Sequence, residues 1–313
     1  MIPIRGFLRS APPAALLLLA ACGNGAGEAA PPAPEFHAGR AWAHLGQQIA
    51  FGPRYPGDRG ATRQLAWLVD ELGYRADTLV QQRFTFPGEG ERTLTGVNVL
   101  ARFRPELEER VLLVAHRDTR RRADRSPDPL DRKFPVPGAN VNASGVAVLV
   151  EMAQLFRQQP PPVGVDLLFP DADEYGADQR MAGVRHFLES TPGYTARYAV
   201  VLQGVAGAGA RFPRDEGSLR SAAEPTRRLW DAAARLGHDT VFVAATAPPL
   251  EGEDAVLAAV GIPVVVVADR EYGPGHLFWM SHDDTIDHTS REVLEAVGRA
   301  LAALVYGEPA AEP

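Results

Sequence analysis

A single cysteine, Cys22, stands in 313 residues, so the chain can close no internal disulfide and build no cysteine-rich metal site. No Gly-x-Ser-x-Gly elbow occurs, which argues against a nucleophilic hydrolase that carries its serine on a strand-to-helix turn. No internal repeat is visible. The apolar run at residues 14–21 is too short to span a bilayer, and no other segment is apolar enough to be transmembrane. An excess of positive charge is also missing: the formal net charge is −7, which argues against nucleic acid as a partner. What remains is 45% hydrophobic and 23% charged, ample for a sizeable core.

The N-terminus has the pattern of a secretory signal over residues 1–21, with Arg5 and Arg9 ahead of the short apolar run. It ends Leu19-Ala20-Ala21-Cys22-Gly23, which resembles a bacterial lipobox, so Cys22 is expected to carry lipid. An ordinary cleaved signal with an incidental cysteine is the alternative. Residues 22–35 are rich in Gly, Ala and Pro and form a flexible tether. Residues 36–307 have globular composition, and a short disordered tail is expected at 308–313. The protein is thereby placed on the bacterial cell envelope, periplasmic or on the outer surface.

Within the globular part, helical spacing is present at 36–51 and 61–72, the second stopped by Gly73. Residues 78–86 and 95–103 alternate as an antiparallel strand pair. Buried strands are predicted at 111–115, 163–169, 198–202 and 261–268, and a further strand at 239–245. Helices are predicted at 145–156 with Ser144 as cap, at 182–188, 225–236 and 254–260, and after Ser290. Residues 211–214 are read as loop. Strands alternating with helices imply one α/β domain, a mixed and mainly parallel sheet with helices on both faces.

The organising stretch is 111–152. A buried strand ends in His116-Arg117-Asp118-Thr119, a long Arg/Asp/Pro loop follows, and Gly138-Ala139-Asn140-Val141-Asn142-Ala143-Ser144-Gly145 opens a helix. Ligands in open α/β sheets sit outside the carboxyl ends of the strands, so this loop borders the expected site. The stretch resembles the zinc aminopeptidase and glutaminyl cyclase superfamily, in its bacterial lipoprotein branch. Further strand-end motifs of that family recur in order over roughly 36–306: Asp173-Glu174, Leu202-Gln203-Gly204-Val205, and Trp279-Met280-Ser281 with Asp284-Thr285.

The resemblance implies a zinc held by carboxylates and imidazoles, with a carboxylate beside it to move the proton. His116 and Glu174 stand at retained ligand positions. Asp118 matches the aspartate that orients the histidine, and Asp173 takes the general-base position one methylene short. Three ligand positions are changed. Val141 replaces a metal-binding aspartate, with Asn140 and Asn142 flanking it on a segment expected to be extended. Gln203 replaces an aspartate. Met280 replaces the last histidine, and a thioether is rarely a zinc ligand. The cyclases' Asp-Asp-His network falls on Gly252, Glu253 and Asp254.

Two functions follow. One is a membrane-anchored pseudoenzyme with little or no zinc, binding peptide ends or envelope proteins in the old cleft. The other is an active zinc-dependent cyclase or aminopeptidase with a rebuilt site of His116, Asp173, Glu174 and His282, where His282 shares a face with residue 280 if the segment is extended. The anchor is testable at once. Expressed in a bacterium, the wild type should sediment with membranes and Cys22→Ser should stay soluble; the same distribution for both would remove lipidation.

Overall fold

The computed structural model describes residues 33–90, 92–176 and 181–311. The expected signal at 1–21, Cys22 and most of the tether lie outside the described residues.

The chain opens with two helices, α1 (Ala38–Ala50) and α2 (Arg59–Gly73). The antiparallel strands β1 (Thr78–Pro87) and β2 (Thr93–Phe103) follow. Next come β3 (Arg110–Val114), α3 (Ser144–Gln158), β4 (Gly164–Phe169), α4 (Ala182–Ser190) and β5 (Tyr198–Gln203). The last third holds β6 (Phe212–Asp215), α5 (Glu216–Ser221), α6 (Ala223–Arg235), β7 (Phe242–Ala247), α7 (Glu253–Ala259), β8 (Val264–Ala268) and α8 (Arg291–Tyr306). Six strands form the main sheet in the order β1-β2-β4-β3-β5-β8. The β2/β4 pair is antiparallel, and β4, β3, β5 and β8 run parallel.

Strands β3, β4, β5 and β8 are buried on both faces, which explains their apolar runs. Val111 and Leu113 of β3 join one core cluster, with α1, α2, α3, α6 and α8. Leu112 and Val114 join a second cluster, with Val184 and Phe187 of α4 and Leu257 of α7. The period of two along a strand thus divides one apolar segment between two cores. Asp166 interrupts β4, but Arg110 and Arg102 meet its carboxylate at 2.6 and 3.0 Å. The four parallel strands deliver His116, Asp171, Gln203 and Asp269 to one end of the sheet.

The structure corrects the sequence reading in four places. Ser144 does not cap α3. A π-helical turn, Ala139–Ala143, runs straight into that helix, and the Ser144 hydroxyl accepts from the Val205 amide at 2.9 Å. Residues 212–215 are a strand rather than loop; with one proline and two charges in four residues, β6 shows no alternation to read. The strand expected at 239–245 starts later, as β7, and pairs parallel with β6 in a separate two-stranded sheet. The tail is ordered through residue 311. Glu308 is buried, bonded to the Tyr198 hydroxyl at 2.7 Å and paired with Arg197 and Arg228 at 2.9 and 2.7 Å. The Ala311 amide donates to the Pro162 carbonyl at 2.9 Å.

A chain ending at Gly307 therefore loses charge-assisted bonds worth about 1.5–3 kcal/mol each where buried. Thermal unfolding should show it melting several degrees below a chain ending at Ala311. Equal melting temperatures would show that the Glu308 clasp contributes nothing.

Candidate functional site

The loops beyond the parallel strands are fixed by buried aspartates that accept backbone amides. Asp118, just past β3, accepts from the Asp173 and Glu174 amides at 3.0 and 2.9 Å. Asp284 accepts from the Asn140 and Val141 amides at 2.7 and 3.2 Å and from the Tyr272 hydroxyl at 3.1 Å. These two clamps hold the β4 loop to the β3 loop, and the π turn to the 278–285 loop. Gly138 opens the π turn at φ +69°, where an added Cβ would lie 2.5 Å from Thr119 and Asn142. Its carbonyl accepts from the buried Arg54 guanidinium at 2.6 Å. At Gly145 an added Cβ would fall 2.9 Å from Ala115 and 3.0 Å from the Leu202 carbonyl, so glycine lets α3 close on β3 and β5.

Asp118 therefore does not orient His116, as the sequence reading had it. The His116 partner is Glu253, at the start of α7, with Nδ1 to Oε1 2.6 Å and both groups buried. On the other ring nitrogen, the Asn142 amide nitrogen lies 2.8 Å from Nε2 and donates to the Asp118 carbonyl at 2.6 Å. Burial lowers the ring's basicity, and the Glu253 carboxylate opposes that and shifts it upward. A full imidazolium would however set an Nε2 proton against the Asn142 nitrogen, which the Asp118 carbonyl holds in place. We therefore assign a neutral ring with its proton on Nδ1, shared with Glu253.

The expected ligand positions come together, but as packing. Val141 (2% exposed) and Met280 (6%) form one apolar cluster with Tyr272 and Trp279. The segment carrying Val141 is helical rather than extended, and its neighbours serve the scaffold: Asn140 Oδ1 accepts from the Ala206 amide at 2.7 Å, and Asn142 meets His116. Gln203 is buried at the end of β5. Asp173 is spent on α4, with Oδ1 accepting from the Gly183 and Val184 amides at 2.6 and 3.2 Å. Its pKa is pushed well up by burial and then by Glu253 and Asp118. Glu174 faces a cation, the Arg120 guanidinium, at 3.6 Å.

His282 does not share a face with Met280. Met280 has φ +54°, which turns the chain, and the His282 ring packs on Phe134 with centroids 5.8 Å apart. Among the described residues no three His, Cys, Asp or Glu side chains are grouped to hold a metal ion. The side chains present do not fit zinc, because the converging positions bring an isopropyl group and a thioether where a carboxylate and an imidazole would be needed. Sequence reasoning missed Glu253 as the His116 partner and Arg120 as the Glu174 partner. Glu253 was traceable, since it falls on the cyclase network position; Arg120 lay in a loop with no pattern.

Several site carboxyls are held above the ordinary range, chiefly by burial: Asp118 to about 7, and Asp284, Asp269 and Asp254 to about 6. A carboxyl raised in the folded state binds its proton more tightly than in the unfolded chain, so its stabilisation is complete at low pH and lost as pH rises through the folded value. His44, His238 and His276 are shifted down by burial and oppose this below about pH 6.5. Because the carboxyls outnumber them, unfolding free energy from urea titrations should fall between pH 4.5 and 7. The slope is about 1.4 kcal/mol per pH unit for each net proton. Asp284→Asn should flatten it. A rise over that window would contradict the buried-acid assignment.

The chain matches the model of "Peptidase family M28" over residues 98–305. It is similar to a solved Zn-dependent exopeptidase from Parabacteroides distasonis, at 30% identity and a TM-score of 0.84 over 88% of this chain and 100% of that one. A glutaminyl cyclase from Tannerella forsythia aligns at 29% identity and 0.82, again over 88% and 100%. One from Bacteroides thetaiotaomicron, solved with N-acetylhistamine bound, aligns at 28% and 0.83 over the same shares. No curated protein matches the chain. With a family model covering most of the described domain, and a solved neighbour 30% identical over its whole length, this chain belongs to peptidase family M28.

Proposed function

We propose that this chain is a lipid-anchored, non-catalytic M28 protein that binds peptide ends or an envelope protein in the cleft where its relatives work with zinc. The observation that carries the reading is the Val141–Tyr272–Trp279–Met280 cluster. Two positions expected to hold metal instead belong to one buried apolar cluster. Asp173, at the general-base position, accepts the Gly183 and Val184 amides with Oδ1, so its carboxylate is tied to the start of α4 rather than held free to serve a substrate. Glu174 already has a cationic neighbour in Arg120.

The backbone supports descent from a working site. Met280 occupies the left-handed region, which His and Asn adopt several-fold more readily than other non-glycine residues. A histidine therefore suits this backbone at least as well as the methionine does. Val141 sits in a π-helical turn, a feature common at functional sites.

Zinc measured by elemental analysis after chelator-free purification should be far below one per chain, and added zinc should leave the melting temperature of the wild type unmoved. The double variant Val141→Asp/Met280→His supplies an aspartate and a histidine beside Glu174, and should bind one zinc, with either single change gaining much less. Without metal it should be less stable, since an unpaired carboxylate replaces a buried valine, and zinc should restore several degrees. Stoichiometric zinc in the wild type would favour a rebuilt-site enzyme.

A further inference from the structure

The cleft retains a cavity of about 370 Å³ beside the apolar cluster, a volume within the range that holds small ligands. Its chemistry is specific. Three guanidinium groups line it, from Arg120, Arg125 and Arg270, against two carboxylates, from Glu251 and Asp269. Asp269 is turned to the Glu271 amide at 3.0 Å and Glu251 is exposed. Arg120 is engaged with Asp124 and Glu174. Arg270 is oriented by Asp215 at 2.7 Å, which is itself fixed by the Ser218 and Leu250 amides. Arg125 is exposed, and together with Arg270 it acts on His276, both lowering its basicity.

Two further groups are set for a ligand. His276 Nδ1 accepts from the Tyr272 amide at 3.2 Å, so the neutral ring carries its proton on Nε2. The ring stacks on Trp279 at 5.0 Å and 25°. Gln203, 2% exposed, lines the same cavity, and among the described residues its Oε1 has no hydrogen-bond partner. A buried amide oxygen left without a donor is costly. The cavity therefore offers both cationic donors and one unsatisfied acceptor.

We propose that this cleft binds peptide carboxylates, with the anionic group against Arg125, Arg270 and the His276 ring N–H, and the neighbouring amide N–H donating to Gln203 Oε1. An amide N–H lies within a few bonds of both a chain-terminal carboxylate and an acidic side chain, which matches the pairing of donors and acceptor. Inorganic phosphate would satisfy the arginines but can meet Gln203 only with its own hydroxyl, and it brings no separate amide N–H. The proposal rests on the reading of the cleft as free of metal chemistry and names the ligand class that such a cleft takes.

The test uses the full-length protein in detergent, with binding followed by calorimetry at low salt. The probes are acetyl-Ala-Ala-Gly as the free acid, its C-terminal amide, acetyl-Ala-Glu-Gly amide, and inorganic phosphate. The free acid, the Glu peptide or both should bind, and which one does identifies the source of the carboxylate. The neutral amide and phosphate should bind at least about tenfold more weakly. Arg125→Glu, at an exposed position that leaves the core untouched, should weaken binding by at least about tenfold. Gln203→Leu should do the same with its melting temperature retained. Binding of the neutral amide or of phosphate as tight as the acids, an unaffected Arg125→Glu, or no binding by either acid overturns the proposal. Zinc content of the same sample is read separately: a metal-free sample that ignores both acids sinks this inference alone, and a zinc-loaded sample whose binding is lost to chelator sinks both.

Discussion

Everything at this site depends on buried aspartates accepting pairs of consecutive backbone amides. Asp284 holds Asn140 and Val141, and Asp118 holds Asp173 and Glu174. Each closes two loops that are distant in sequence with bonds to an acceptor of high capacity, and such bonds are among the stronger ones in proteins. Because the clamps grip main chain, they are indifferent to the side chains at the residues they hold. The loops therefore keep their positions whatever side chains stand at the gripped residues. A site held in this way can change its side chains without losing its shape.

The charge balance follows from the same arrangement. Asp118, Asp173, Glu174 and Glu253 are all buried near one strand end, and four desolvated carboxylates cannot remain ionised together without cations. A metal dication would answer that need in a working relative. Here the answer is distributed. The His116 ring bonds Glu253, Arg120 faces Glu174, the start of α4 solvates Asp173, and Asp118 and Asp173 are shifted toward their protonated forms.

The sheet was legible in the sequence because β3, β5 and β8 are short apolar runs bounded by turn residues, a pattern few alternatives fit. The β1/β2 hairpin was legible from its alternation. Convergence of Val141 with Met280 was legible too, through the motifs that flank them. What failed to show were contacts set by backbone geometry rather than side-chain pattern. Asp118 was assigned to His116 through the family resemblance, yet its carboxylate turns to the β4 loop. His282 was placed beside residue 280 on the premise of an extended chain, and the left-handed turn at Met280 breaks that premise. Strand β6 was missed because Pro213, Arg214 and Asp215 hide it; Asp215 proves to orient Arg270 at the cleft.

The stacked pair of His276 and Trp279 lies in the loop that β8 leads into, and Gly273, one step past Tyr272, has φ +71° with the Phe278 ring within 2.3 Å of where a Cβ would stand. That crowding couples the aromatic wall of the cleft to one glycine. Any side chain at residue 273 must displace the Phe278 ring, and with it the stacking of Phe278 on His288, whose centroids lie 4.0 Å apart. The aromatic wall beside the cleft is in this sense held from behind, by a glycine that does not itself line the cavity.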